Sequence, residues 1–149
     1  MKLFIDADAC PVTGLAVCIA KEWGIQTLLV SDHHHRQNHE GVETILVMKG
    51  ADSADFRLVN LLSSGDVVVT QDYGLAAMCL SKGTRVLNQN GMEYGEHNID
   101  GLLWQRHEAR KIRRGGGRTK GPSKRTAEQD LDFEETLRRL LAEQSVQNS

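Results

Sequence analysis

The chain has 149 residues, of which 40% are hydrophobic and 26% are charged, and its formal net charge is -2. These values are typical of one soluble domain with a hydrophobic core, and they exclude a protein that is basic throughout. No apolar run approaches the roughly 20 residues that cross a bilayer, and three cysteines without a CxxC pair argue against a disulfide framework, so we expect no membrane contact and a cytoplasmic location.

The first predicted strand carries two acids at its carboxyl end. The apolar run Leu3–Ile5 is followed by Asp6 and Asp8, and Pro11 then opens a segment of helical period that ends at Gly24. Proline is favoured at the first position of a helix, because its missing N–H would be unpaired there anyway. Ligands of open α/β sheets bind beyond the carboxyl ends of the strands. Two carboxylates held close together at such an edge usually need a cation or a shared proton.

Short apolar runs and helical periods keep alternating up to residue 90. This alternation indicates a parallel sheet with right-handed crossovers. We therefore predict an α/β fold, a three-layer parallel sheet of about five strands flanked by helices, with residues 1–90 as the core of a single domain 1–149. The later strands are predicted at Thr27–Val30, Thr44–Val47, Val67–Thr70 and Arg85–Asn88, and the later helices of this core at 53–63 and 74–82.

Two further acids are candidates for the same edge of the sheet. Asp72 follows the β-branched run Val67–Val69, which suits a central strand buried on both faces. Asp52 and Asp55 stand at the start of a predicted helix. All three acids also have a simpler interpretation, because acids at helix N-termini cap the first turn and complement the helix dipole. For Asp55 the two interpretations stay open.

Two other features of this region have a functional and a structural interpretation. The polar stretch Ser31–Gly41 contains several histidines, but a metal site needs fixed geometry and supporting contacts, so we interpret it as a solvated loop. Cys10 stands at the start of the first helix, where a thiol can become reactive. The nearby Asp6 and Asp8 disfavour a thiolate, so we interpret Cys10 as a small buried residue.

From residue 99 onward the sequence predicts a helical extension, 99–149. One helix is expected over Ile99–Ile112 and another over Glu128–Glu143. The second helix must pack on the domain, because a short helix is marginal alone. Its apolar face consists of Phe133, Leu137, Leu140 and Leu141.

The glycine-rich loop 113–125 between these helices is strongly basic. Nine of the 18 Lys and Arg residues lie between Gln105 and Arg125, against the single acid Glu108. The loop is either a solvated linker or a phosphate-binding segment, and the segregation of charge in an acidic chain favours the second. The residues expected to contact substrate phosphates are Arg114, Arg118, Lys120 and Lys124.

An all-oxygen set of side chains suits a hard divalent cation. Asp6, Asp8, Asp55 and Asp72 are the expected ligands, and Mg²⁺ or Mn²⁺ the expected metal, because oxygen ligands without His or Cys favour these ions. Magnesium commonly works with phosphate substrates. The sequence thus predicts a metal-dependent nuclease or phosphodiesterase with these four aspartates as catalytic residues, acting on RNA or another phosphate polyanion.

Several stretches resemble the YaiI/YqxD family of uncharacterised bacterial proteins, and the resemblance covers nearly the whole chain. That family is similar to PIN-like nuclease domains in its strand-end aspartates. The stretches that carry the resemblance are Asp6–Val12, Asp52–Asp55, Gly65–Ala76 and Arg114–Pro122.

The resemblance implies a PIN-like fold and a role for three of the aspartates. Asp6 matches the first acid of the PIN pattern, Asp72 matches the acid after the fourth strand, and Asp55 matches a helix acid that is often Glu. Asp8 has no secure counterpart. No acid follows Asp72 at the place where the PIN pattern has a further one.

Two rival functions are compatible with the same residues. In a phosphatase of the haloacid dehalogenase type, Asp6 would be the nucleophile, Asp8 the acid/base and Ser31 a phosphate-binding hydroxyl, although Cys10-Pro11 departs from that pattern. In the other rival, the chain is a PIN-like module that binds RNA without turnover.

Overall fold

The computed structural model describes residues 1–8, 10–31, 42–46, 53–114 and 124–147. Residues 32–41 of the predicted histidine loop, Asp52 and most of the basic loop, with Arg118 and Lys120, lie outside these residues, whereas Ser31, predicted as the start of that loop, is a buried strand residue. The strands are β1 (Lys2–Asp6), β2 (Gln26–Ser31), β3 (Glu43–Leu46), β4 (Val67–Val69), β5 (Arg85–Leu87) and β6 (Glu93–Tyr94). The helices are α1 (Thr13–Glu22), α2 (Ser53–Leu61), α3 (Tyr73–Ser81), α4 (Ile99–Arg114) and α5 (Ala127–Gln147).

These strands form one six-stranded sheet in the order β3-β2-β1-β4-β5-β6. The first five are parallel, and β6 pairs antiparallel with β5. The predicted α/β class and parallel sheet are therefore confirmed. The sixth strand was not predicted, because its two residues are too few to show an alternating pattern.

The strands alternate their side chains between two helical layers, which confirms the three-layer arrangement. Leu3 and Ile5 of β1 are fully buried against α1 and α5 on one face of the sheet. Phe4, between them in sequence, is fully buried on the other face with residues of α2, α3 and α4. Since successive side chains of a strand point to opposite faces, a continuous apolar run is what a doubly covered strand requires.

The helix α5 belongs to the core, as its apolar period predicts. The four residues of its predicted apolar face are all 0% exposed and pack in the same cluster as β1 and α1. The turn before β6 fixes where α5 lies, because Gly91 has φ +82° and a side chain there would collide with the backbone of Asp132. Thr136 of α5 also donates a hydrogen bond of 2.7 Å to the carbonyl of Gly91.

The order of the strands creates one topological switch point. From β1 the chain moves outward through β2 to β3, and it then returns to place β4 on the other side of β1. Open α/β sheets bind ligands in the crevice that such a reversal leaves beyond the carboxyl ends of the two strands. In this fold, the crevice lies between the ends of β1 and β4. Among the described residues, no helix is both long and apolar enough to cross a membrane.

Candidate acidic site at the switch point

The two strands at the switch point are joined at their carboxyl ends through Thr70. The Thr70 hydroxyl donates a hydrogen bond of 2.8 Å to Oδ2 of Asp6 and accepts one of 3.0 Å from the backbone N–H of Asp72. Thr70 is 1% exposed. Tyr94, also buried, donates its own hydroxyl to the Thr70 carbonyl over 3.1 Å. The last residue of β1 and the first turn after β4 are therefore held together by one buried hydroxyl.

Asp6 carries a charge that its surroundings disfavour. Burial is the largest of the effects that raise the pKa of Asp6 from 3.8 to about 6, and the hydrogen bond from Thr70 opposes it. The charges of Asp55, Asp8 and Asp72 raise the pKa of Asp6 as well, in that order. A carboxylate surrounded by like charges in a crevice is a candidate functional group, because such groups are arranged where function needs them.

Asp8 is held by the strand on the other side of β1. The Ser31 hydroxyl, at the end of β2, donates a hydrogen bond of 2.6 Å to Oδ1 of Asp8. Ser31 is 6% exposed. The backbone N–H of Ala7 also donates to the carbonyl of Val30 at 2.9 Å, so the loop after β1 continues along β2. The Asp8 side chain is therefore oriented towards the end of β2.

Asp72 caps α3, as one of its two interpretations predicted. Its Oδ1 accepts hydrogen bonds from the backbone N–H groups of Gly74 (2.9 Å) and Leu75 (3.2 Å). This capping role does not remove its charge from the site, because Asp72 still raises the pKa of Asp6. Asp55, in the first turn of α2, is half-buried and raises the pKa of Asp6 more than Asp8 or Asp72 does.

The two thiols near the acids are not activated. Burial, followed by the charges of Asp55, Asp6 and Asp72, raises the pKa of the Cys79 thiol to about 12. Burial is also the main effect that raises the pKa of Cys10. Since the thiolate is the reactive form, neither residue has the environment of a nucleophile.

The donor set of the site fits a hard cation only in part. All four predicted ligands offer carboxylate oxygens, which suit Mg²⁺ or Mn²⁺. Within the described part of the chain, however, no group of three or more His, Cys, Asp or Glu side chains is arranged to hold a metal ion. Magnesium is commonly bound by one or two carboxylates, water and substrate phosphate rather than by an all-protein cage. The arrangement fits this open mode of binding better than a closed site.

Of the predicted phosphate-binding residues, the structure describes the side chain of Lys124 alone. Lys124 is exposed. Its neighbour Arg125, which sequence reasoning did not place among the site residues, is anchored to the turn after β5. Its guanidinium donates to the side-chain oxygen of Asn90 (2.7 Å), the carbonyl of Gln89 (2.6 Å) and Asp130 (2.7 Å). The charge of Arg125 lowers the pKa of Cys10, which Asp6 raises, so this cation and Asp6 both act on one thiol at the edge of the site.

The sequence analysis also did not pair the hydroxyls of Thr70 and Ser31 with the aspartates that they contact, Asp6 and Asp8. Ser31 entered only as a phosphate ligand of the rival phosphatase, and Thr70 was assigned to a strand. The signal for Thr70 was its place two residues before Asp72, at the end of an apolar run. No comparable signal pairs Ser31 with Asp8, because the hydrogen bond joins residues 23 positions apart.

The fold and this site define an α/β protein with a parallel sheet and a group of acids at its topological switch point. The chain belongs to the YaiI/YqxD family, since residues 4–143 match the family model described as "Uncharacterized BCR, YaiI/YqxD family". This confirms the family that the sequence motifs indicated. No solved structure matches the chain.

Curated relatives match over almost their full length. A UPF0178 protein of Exiguobacterium sibiricum is 47% identical over 145 residues, which cover 97% of this chain and 99% of that one. A UPF0178 protein of Ruminiclostridium cellulolyticum is 49% identical over 137 residues, or 92% of this chain and 90% of the relative. A third, from Clostridium acetobutylicum, is 46% identical over 143 residues, with 95% and 97% covered.

Proposed function

We propose that this protein is a metal-dependent nuclease or phosphodiesterase of PIN-like type, which cleaves RNA or a related phosphate polyanion at the switch-point crevice. The observation that carries the proposal is the junction of the two switch-point strands. Thr70 joins Asp6 to the first turn of α3, where Asp72 lies, at the edge where open α/β sheets bind ligands.

Each acid has a part in this proposal. Asp6 and Asp8 would bind the cation from the end of β1, and Asp55 and Asp72 would complete the negative field that attracts it. A bound Mg²⁺ or Mn²⁺ would supply polarisation of a phosphoryl oxygen and a nucleophile at neutral pH. The carboxylates need that cation, because each raises the pKa of Asp6 and a phosphate would add further negative charge.

The basic residues would bind the polyanion at the rim of the crevice. Lys124 is exposed beside Arg125, whose side chain is fixed to the turn after β5 at the same edge of the sheet. Arg114, Arg118 and Lys120 extend this charge in the sequence. Contacts of this kind bind the phosphate backbone without reading bases, so binding should weaken strongly as salt rises.

The test is hydrolysis of single-stranded RNA with Mn²⁺ by the wild type and by Asp6→Asn. A matched control is Asp100→Asn, which removes one exposed acid from α4, on the surface of the protein. We expect turnover in the wild type and in the control and none above background in Asp6→Asn. Equal turnover by Asp6→Asn would contradict the proposal. Salt-sensitive binding without turnover by the wild type would favour the non-catalytic RNA-binding module.

One observation favours a second candidate, the phosphatase of the haloacid dehalogenase type. Ser31 lies at the end of β2 with its hydroxyl against Asp8, so a strand-two hydroxyl does border the site. That mechanism requires a phosphoryl group on Asp6. Trapping a phosphorylated Asp6 with a phosphomonoester substrate would establish the phosphatase and exclude the nuclease.

A further inference from the structure

The two acids of the β1 segment have matching partners on opposite sides. Asp6 receives the hydroxyl of Thr70 from the end of β4, and Asp8 receives the hydroxyl of Ser31 from the end of β2. The sheet order places β2 and β4 on either side of β1. Both hydroxyls are buried, at 1% and 6% exposure. Each acid therefore has a hydrogen-bond partner on a neighbouring strand.

The distance between the Ser31 hydroxyl and Asp8 falls in the range of a hydrogen bond to a carboxylate. An O–H···O bond to an ionised carboxylate is typically 2.5–2.7 Å long, and the Ser31–Asp8 bond is 2.6 Å. The serine has a single proton, so it donates to one oxygen of Asp8 and turns that oxygen towards β2. This hydrogen bond therefore favours one orientation of the Asp8 side chain.

The position of Asp8 indicates why its orientation would matter for binding a cation. No acid follows Asp72, since the next two residues are Tyr73 and Gly74. Asp8 comes two residues after Asp6 and raises the pKa of Asp6, so its charge reaches the same site from the β2 side. A cation held by few carboxylates depends on the orientation of each of them.

We propose that Ser31 is a positioning residue, whose hydroxyl holds Asp8 in the orientation in which it binds the divalent cation together with Asp6. This inference rests on the proposed function, because it assumes a cation at the switch point. Partners of this kind orient the groups that contact the metal, and their loss typically weakens metal affinity or activity about 10- to 100-fold. Ser31 itself contacts neither metal nor substrate in this role.

The experiment is calorimetric titration of Mn²⁺ into the full chain, with His33, His34, His35 and His39 replaced by Ser to remove competing ligands. We expect the dissociation constant of Ser31→Ala to rise about 10- to 100-fold. Ser31→Thr keeps the hydroxyl and should bind within a few-fold of the wild type, whereas Ser31→Val has the same shape without it and should bind like Ser31→Ala. This matched pair decides the question even where Ser31→Ala does not fold.

A control from the same strand separates a site effect from the loss of any buried hydroxyl. Thr27 is 4% exposed near the start of β2, and its hydroxyl donates a local hydrogen bond of 3.5 Å to the Ile25 carbonyl. Thr27→Val should therefore leave Mn²⁺ affinity unchanged. An equal loss of affinity in Thr27→Val and Ser31→Val would overturn the assignment.

A double-mutant cycle with Asp8 shows whether Ser31 acts through that acid. In an Asp8→Asn background, removing the Ser31 hydroxyl should not weaken Mn²⁺ binding further, because coupled residues are not additive. A further loss of similar size would mean that Ser31 acts directly, as the phosphatase alternative requires. If Asp6→Asn loses Mn²⁺ binding while Ser31→Ala keeps it, the role of Ser31 fails alone. If the wild type and Asp6→Asn bind Mn²⁺ alike, or neither binds it, both the proposed function and the role of Ser31 are contradicted.

Discussion

Each end of the sheet has a mostly buried carboxylate on or beside one of its two central strands, but the two carboxylates have opposite surroundings. At the amino end, Asp66 directly precedes β4 and is 2% exposed. Its two oxygens accept hydrogen bonds from the backbone N–H groups of Lys2 (2.9 Å) and Ser63 (2.8 Å). At the carboxyl end, Asp6 has one hydroxyl donor and the charges of Asp55, Asp8 and Asp72 around it.

This difference distinguishes Asp66, whose hydrogen bonds support the fold, from Asp6, whose charge is disfavoured by its surroundings. Backbone N–H groups donate to both oxygens of Asp66, and Asp66 in turn satisfies two donors in part-buried positions. Asp72 also caps α3, but the charges of Asp55, Asp8 and Asp72 together disfavour the charge of Asp6. Proteins keep such unfavourable arrangements at functional sites, and this contrast is the physical basis of the proposed function.

The largest expected effect comes from Asp72→Asn, which should separate activity from stability. Asp72 supports the proposed cation site through its charge, and the loss of a supporting group typically weakens metal affinity or activity about 10- to 100-fold, so we expect RNA hydrolysis to fall by about that factor. Because Asn caps helices as well as Asp does, the melting temperature should change little. Turnover and thermal unfolding of the same sample test both parts, and an inactive but unfolded variant would be evidence against this separation.

Asp66→Ala should have the reverse effect. Removing this carboxylate leaves the N–H groups of Lys2 and Ser63 without their partner, and each buried unpaired group costs about 1–3 kcal/mol. We therefore expect a loss of about 3 kcal/mol in the free energy of unfolding by urea. The activity of the folded fraction should be close to that of the wild type. A variant as stable as the wild type would show that Asp66 is not structural.

Asp6→Asn should stabilise the protein, and only at high pH. A carboxyl whose pKa is higher in the folded than in the unfolded chain binds its proton more tightly when folded, so stability falls as pH rises. For Asp6 this loss develops between its ordinary pKa of 3.8 and its folded pKa of about 6. The rise corresponds to up to about 3 kcal/mol. Urea unfolding should show this gain at about pH 8 and none below about pH 4, whereas a gain that is independent of pH would contradict the explanation.

The smallest effect is expected from Arg85→Met, which alters charge at the amino end without burying or exposing an acid. Arg85 forms ion pairs with Glu93 over 2.7 Å and with Glu143 over 2.9 Å, and the three side chains are 28%, 24% and 43% exposed. Partly exposed ion pairs contribute at most about 1 kcal/mol, and salt screens them. The difference in unfolding free energy between Arg85→Met and the wild type should shrink in about 1 M salt. A larger effect that is insensitive to salt would point to packing by the arginine stem instead.

The elements of the fold were predictable because their signals are local. Buried strands such as β4 are continuous apolar runs, and the face of α5 follows a helical period whose four apolar residues are all fully buried. β6 was not predicted, because it has two residues and forms only by pairing with β5. Its place depends on the turn at Gly91, which packs against α5 more than 40 residues away.

The candidate site was predictable in its acids but not in the contacts that fix them. Topology alone brings strand-end residues to one edge, so Asp6 and Asp72 could be assigned to it before any coordinates. The hydrogen bonds from Thr70 and Ser31 span 64 and 23 positions and depend on the register of β1 with both of its neighbours. The interaction of Arg125 with Asn90 is equally non-local. A single sequence does not specify such registers.

The packing of α5 has a consequence for how the chain folds during synthesis. The first strand made is the central β1, yet Leu3 and Ile5 share their apolar cluster with Phe133 and Leu137, about 130 positions later. On the ribosome, α1 can cover only part of that face of the sheet until α5 has emerged from the exit tunnel. An exposed apolar sheet face is the kind of surface that chaperones bind and that aggregates form through. Arrest of translation just before α5 should therefore give a nascent chain with all strands made but part of one face of its sheet exposed.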